Sequence, residues 1–160
     1  MKRTLFLIRH AHTPPGSPDE HRQLSNKGEQ QARAMGERLA LIAQPPVVVI
    51  CSPASRTATT AALMRQSAAS PESVYLLDRR LYESSLEDYL DVLHESLDEQ
   101  TTIWLVGHNW AISALARELT GETTLEMAPC TVVKADFESP SWRQANRGSL
   151  TDFDVLVPED

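Results

Sequence analysis

The order of apolar runs in this 160-residue chain predicts an α/β fold: a three-layer α/β/α domain around a mostly parallel central sheet, with residues 1–160 forming one domain. Three observations predict it. Short continuous apolar runs alternate with longer segments whose apolar residues recur every three or four positions. The early runs are unbroken, as in parallel strands covered on both faces. The last two runs alternate apolar with polar residues instead, as strands at one edge of a sheet do.

Each element follows in turn. Thr4–Ile8 is a buried strand that ends abruptly in Arg9-His10. A loop rich in Pro, Ser and charge runs from Pro14 to Asn26; because it leaves directly from the His10 strand, it reads either as a surface loop or as a lid or rim over a site. Ala32, Met35, Leu39 and Ile42 place a helix over Lys27 to about Ala43, with Ser25 as N-cap and Pro45-Pro46 as its stop. Val47–Ile50 is the second strand, Ala54 to Gln66 an alanine-rich helix, and Val74–Leu77 a short third strand. Ser84-x-x-Glu87 has the form of a capping box and opens a helix with Leu86, Tyr89, Leu90, Leu93 and Leu97 on one side. Thr102–Val106 is the fourth strand. Trp110 to Leu119 is a helix ended by Thr120-Gly121. Thr131–Phe137 and Leu150–Val157 close the chain as an edge hairpin.

Composition narrows the function. Fifteen basic against 22 acidic residues give a formal charge of −7, which argues against a general nucleic-acid binder with a basic face. It leaves room for a phosphate site, which local cations decide. Hydrophobic content of 41% with 23% charged residues excludes disordered and fibrous classes. Cys51 and Cys130 lie far apart and read as two reduced cysteines of a cytoplasmic protein. Met1-Lys2-Arg3-Thr4 faintly resembles the basic start of a signal peptide, but the apolar run behind it is too short and ends in Arg9. No run approaches membrane-spanning length. The expectation is a soluble, cytoplasmic protein with no membrane or nucleic-acid partner.

The chemistry gathers at strand ends, where ligands bind in open α/β sheets. Strand one ends in Arg9-His10 with His12 just beyond; strand two ends in Cys51-Ser52-Pro53 with Arg56 a helical turn on; strand four ends in Gly107-His108-Asn109; Tyr82-Glu83 follow strand three. These groups suit a phosphoryl ligand. An arginine fork donates two parallel hydrogen bonds and stays charged. A neutral imidazole is a good nucleophile near pH 7, and flanking arginines disfavour its protonation.

Four ordered motifs then resemble the histidine phosphatase superfamily, with its phosphoglycerate-mutase-like fold. They are Leu7-Ile8-Arg9-His10-Ala11, Leu24-Ser25-x-x-Gly28-x-x-Gln31-Ala32, Ser52-Pro53-x-x-Arg56-Thr57-x-x-Thr60-Ala61 and Val106-Gly107-His108-Asn109. The short length and the late Gly148-x-Leu150 leading to Val157-Pro158 look most like its small branch, the SixA-type phosphohistidine phosphatases. The resemblance implies that His10 is a nucleophile forming a phosphohistidine intermediate, with Arg9, Arg56 and His108 completing the phosphate pocket. Glu83 matches the position where many members carry a general acid. His12 and Asn109 are further candidate phosphate or substrate contacts. The family's usual glycine after Arg-His is Ala11 here, whose methyl group is expected to narrow the pocket.

The implied activity is cofactor-free and metal-independent dephosphorylation, most simply of phosphohistidine on a protein. A phosphatase of a small phosphomonoester and a non-catalytic phosphate-binding module are the alternatives. Two other chemistries fit poorly. His10-x-His12 after a strand also begins some metal hydrolases, but those build on barrels of about 250 residues. Cys51 and Arg56 approach the Cys-x5-Arg spacing of cysteine phosphatases, with one residue too few and no glycines in the loop.

Overall fold

A computed structural model describes residues 1–159. Six strands and four helices alternate along it: β1 (Lys2–Arg9), α1 (Asn26–Ile42), β2 (Val48–Cys51), α2 (Ser55–Ala68), β3 (Val74–Leu77), α3 (Leu86–His94), β4 (Thr102–Gly107), α4 (Ala111–Thr120), β5 (Val132–Glu138) and β6 (Leu150–Leu156). The strands form one sheet in the order β3-β2-β4-β1-β5-β6. β1, β2, β3 and β4 pair in parallel, while β5 pairs antiparallel with both β1 and β6. The mostly parallel α/β fold and the C-terminal edge hairpin are as the sequence predicts.

Alternation along the central strands sorts the core into two halves. Leu5, Leu7, Ile103 and Leu105 face one way, against Tyr89 and Leu93 of α3 and Ile112, Leu115 and Leu119 of α4. Phe6, Ile8, Trp104 and Val106 face the other way, against Ala32, Met35 and Leu39 of α1 and Ala61 and Met64 of α2. All eight strand residues are buried, so each central strand is apolar on both faces and reads as an unbroken run.

Two local expectations need correction. The capping box belongs to Ser85 and Asp88, one residue later than Ser84 and Glu87: Ser85 accepts from the Asp88 N–H at 3.2 Å, and Asp88 accepts from the Ser85 N–H at 3.2 Å. Two serines in tandem, each with an acid three residues on, give the same pattern in two registers. Leu97 lies outside α3, which ends at His94, and is exposed. The short third strand, β3, forms the sheet's edge, and Val74, Leu76 and Leu77 are exposed.

Candidate active site

The register of the two central strands builds the site. Ile8 pairs with Val106 and Arg9 with Gly107, so His10 and His108 each follow the last paired residue of neighbouring parallel strands. The His10 N–H donates to the Gly107 carbonyl at 3.2 Å, which fixes the two chain ends side by side. The imidazole centroids lie 5.3 Å apart. Both rings are buried, at 6% and 8% exposure, at the floor of a cavity of about 240 Å³.

Arg9, His10, His12, Arg56, His108 and Asn109 all line that cavity. Six of the seven site residues expected from the sequence are therefore brought together. Glu83 lines an adjoining cavity that shares Arg56, His108 and Asn109. It is exposed, at a left-handed turn (φ 47°) between Tyr82 and α3.

His10 is held in a defined protonation state. Its Nδ1 lies 2.8 Å from the Ala11 carbonyl oxygen. A carbonyl only accepts, so the neutral ring carries its proton on Nδ1 and keeps the Nε2 lone pair free. Burial lowers the imidazolium to about 4, with help from Arg9, Arg56 and Arg22, against the opposing pull of the Ala11 carbonyl. Burial, then the neighbouring His10 and Arg56, lowers His108 to about 3. Both imidazoles are neutral at pH 7.

His108 Nε2 lies 2.8 Å from the hydroxyl of buried Ser52, and its Nδ1 is buried without a partner. Its backbone N–H donates to the Tyr89 hydroxyl at 3.0 Å, and that hydroxyl donates to the Leu81 carbonyl at 2.7 Å. Tyr89 is thus a buried strut from α3 to the end of β4. Gly107 makes room for it, since a Cβ there would collide with the Tyr89 hydroxyl and ring.

His12 is fixed to the start of α1. Its Nδ1 lies 2.6 Å from the Ser25 hydroxyl, which also accepts from the Gly28 N–H at 3.0 Å as the helix cap. A side chain on Gly28 would run into the His12 carbonyl. Asn109 Oδ1 accepts from the Ser113 hydroxyl one turn into α4.

The loop between Pro14 and Asn26 forms one rim, and it supplies two residues that the sequence reading missed. Arg22 lines the cavity, and Asp19 reaches both Arg22 and Arg56. Asp19 Oδ1 accepts from Arg22 Nη1 at 3.0 Å, while Oδ2 accepts from Arg56 Nη2 at 3.0 Å and from the Tyr82 hydroxyl at 2.8 Å. Arg56 Nη1 donates to the Asp19 carbonyl at 2.7 Å. Tyr82, Arg22 and Arg56 together hold the Asp19 carboxyl far below its ordinary range. Glu20 adds a second tie through both terminal nitrogens of Arg79, at 2.8 and 3.2 Å. The one available signal was the i,i+3 spacing of Asp19 and Arg22, which a turn brings together.

One expectation is overturned by burial. The Ala11 methyl does not narrow the pocket: Ala11 is fully buried in the core beneath α1 and α2. Cys51 is sealed in the same core, and burial raises its thiol to about 12, so it carries no thiolate at neutral pH, which fits the poor match to the cysteine-phosphatase spacing. Among the described residues no three His, Cys, Asp or Glu side chains gather as metal ligands would. Nor is any described helix long and apolar enough to cross a membrane.

Two strand-end imidazoles ringed by arginines, on a sheet of this order, define a phosphate-handling α/β protein. Residues 5–100 match the sequence model of the histidine phosphatase superfamily (branch 1), and the chain belongs to that superfamily. Solved structures agree in fold. A protein assigned as the phosphohistidine phosphatase SixA from Nakamurella multipartitia superposes with a TM-score of 0.87 at 24% identity, covering 99% of this chain and 97% of that one. Another assigned as SixA, from Agrobacterium tumefaciens, gives 0.80 at 22% identity, covering 98% and 99%. The protein histidine phosphatase SixA complexed with tungstate gives 0.74 at 20% identity, covering 82% and 86%. No curated protein sequence matches the chain.

Proposed function

We propose that this histidine phosphatase hydrolyses phosphohistidine on a protein through a covalent phosphohistidine on His10. The observation that carries the reading is the Ala11 carbonyl on His10 Nδ1, which leaves Nε2 unprotonated in a pocket lined by Arg9, Arg22 and Arg56.

The reaction has two steps. In the first, the Nε2 lone pair attacks phosphorus in line and forms the N–P bond. The bond from phosphorus to the leaving group breaks, and the leaving nitrogen or oxygen keeps the electron pair and gains a proton. In the second, water attacks phosphorus, phosphate departs, and His10 recovers its lone pair. Arg9, Arg56 and His108 hold the phosphoryl oxygens in both steps; the fixed positive charge of the two arginines favours the charge spread of the transition state. Arg9 has one terminal nitrogen on the Met127 carbonyl at 2.9 Å, and its buried Nε has no partner. Glu83 supplies the leaving-group proton from the adjoining cavity and later accepts one from water. His12 and Asn109 contact the substrate at the rim.

The superfamily, the fold shared with SixA-type neighbours and the small size of the site support a protein-borne substrate. The test uses purified protein in EDTA with a phosphohistidine-bearing protein and, separately, a generic aryl phosphate. Phosphate release from the first, together with an acid-labile phosphorylated enzyme that disappears in His10→Ala, is the expected result. Undiminished turnover by His10→Ala would overturn the mechanism. Release from the aryl phosphate alone would shift the substrate to small phosphomonoesters, and binding without release would indicate a phosphate-binding module.

A further inference from the structure

Beside the phosphate pocket lies a second cavity of about 260 Å³, and the two share Arg56, His108 and Asn109 as a common wall. Tyr82, Glu83 and Trp110 line its other sides. Trp110 stands out among the three tryptophans. Trp104 and Trp142 are buried in the core, whereas Trp110 is 79% exposed, two residues beyond His108. An exposed tryptophan presents a large apolar ring with a polar N–H, and lining a cavity beside the phosphate pocket it is placed to meet a ligand.

The Tyr82 ring is anchored on three sides. Its hydroxyl donates to Asp19 at 2.8 Å, the Arg79 guanidinium sits 5.6 Å from its centroid, and its edge meets the His108 ring at 5.6 Å between centroids. His108 itself, 8% exposed, keeps a buried Nδ1 with no partner in the wall between the cavities. A buried polar atom of this kind is a place where a ligand can supply the missing bond.

We infer that this second cavity receives the group attached to phosphorus, and that Trp110 and Tyr82 select a flat aromatic ring there: the imidazole of a phosphorylated histidine side chain. The inference rests on the reading of His10 as nucleophile, because in-line displacement puts the leaving group on the side of phosphorus away from the attacking nitrogen. The cavity that continues past His108 is the space available for it. A ring lying against Trp110 gains an aromatic contact that an alkyl group of the same charge does not. Trp110 and Tyr82 are specificity-determining residues in this scheme, while the charge of the phosphoryl group is met in the first pocket.

Phenylphosphonate and methylphosphonate separate the two contributions, since neither is hydrolysed and both carry the same anion. Calorimetric titration of the wild-type protein should show phenylphosphonate binding about five-fold more tightly, the scale of one aromatic pair. Trp110→Ala should bring that ratio to about one with methylphosphonate affinity retained, and Trp110→Phe should keep most of the preference. A wild-type protein without the preference, or a Trp110→Ala variant that keeps it, overturns the inference. So does a parallel loss of both ligands in Trp110→Ala. Binding is read without turnover, so this result stands apart from the His10→Ala test: either reading can fail while the other holds.

Discussion

The carboxylate of Asp19 sits on the guanidinium of Arg56, 3.0 Å from Nη2, while the Asp19 carbonyl takes Nη1 at 2.7 Å. Both terminal nitrogens of an arginine expected to hold a phosphoryl group are thus already engaged by the loop that rims the pocket. The same carboxylate is stabilised by Tyr82 and Arg22, so it stays ionised well below the ordinary carboxyl range. An incoming anion meets a pocket whose positive charge is partly cancelled.

Removing that charge should strengthen anion binding. Asp19→Asn keeps one acceptor oxygen in place of two, enough for the Tyr82 and Arg56 side or for Arg22, and carries no negative charge. Tungstate inhibition of the variant should tighten by roughly two- to five-fold, the scale of one partly exposed ion pair. A weaker inhibition constant would mean that ordering of the loop by Asp19 outweighs its charge.

The two buried imidazoles make stability depend on pH. His10 titrates at about 4 in the folded protein against 6.5 in the unfolded chain. The unfolded state therefore binds more protons between these values, and stability rises with pH across that window. The contribution is complete above 6.5 and is lost as pH falls toward 4; His108, at about 3, acts in the same direction. Denaturant midpoints measured from pH 7 to pH 4.5 should fall, and should fall less steeply in His10→Asn. Direct NMR titration of the His10 ring should place it near 4, and a value near 6.5 would refute the account of its environment.

Tyr89→Phe tests the strut. The variant strips the buried Leu81 carbonyl of its donor and the His108 N–H of its acceptor, while leaving the ring in place. A stability loss of about 1–3 kcal/mol is expected from each buried group left unpaired. Turnover should fall as well, because the His108 backbone is no longer tied to α3. A chemical-denaturation curve and a kcat measurement on the same preparation check both.

Glu83→Gln should discriminate among leaving groups. An alkyl phosphate needs a proton on its departing oxygen, so its turnover should drop by about 10²-fold or more. An aryl phosphate, whose phenolate leaves readily, should lose far less. Equal losses on both substrates would remove Glu83 from proton transfer and leave it a charge at the cavity mouth.

Much of this site was legible in the chain because buried runs end where the chemistry begins. Strands β1 and β4 read as strands from their unbroken apolar residues, and the residues that follow them could converge only at one edge of a parallel sheet. Asp19 and Arg22 were illegible for the opposite reason. They sit in polar segments with no periodicity, and their place depends on side chains reaching across from a loop. The position of β3 at the sheet edge was equally hidden, since a four-residue apolar run looks the same at the centre as at the margin.

The pairing of Arg9 with Gly107 joins residues 98 positions apart in the chain. No local segment can assemble the two imidazoles; they meet only after β1 and β4 have zipped in the correct register. A slip of one residue would turn His108 to the opposite face of the sheet. Recovered enzymatic turnover during refolding therefore cannot precede the closing of the central strand pair, and helical signal that returns earlier should bring no activity with it.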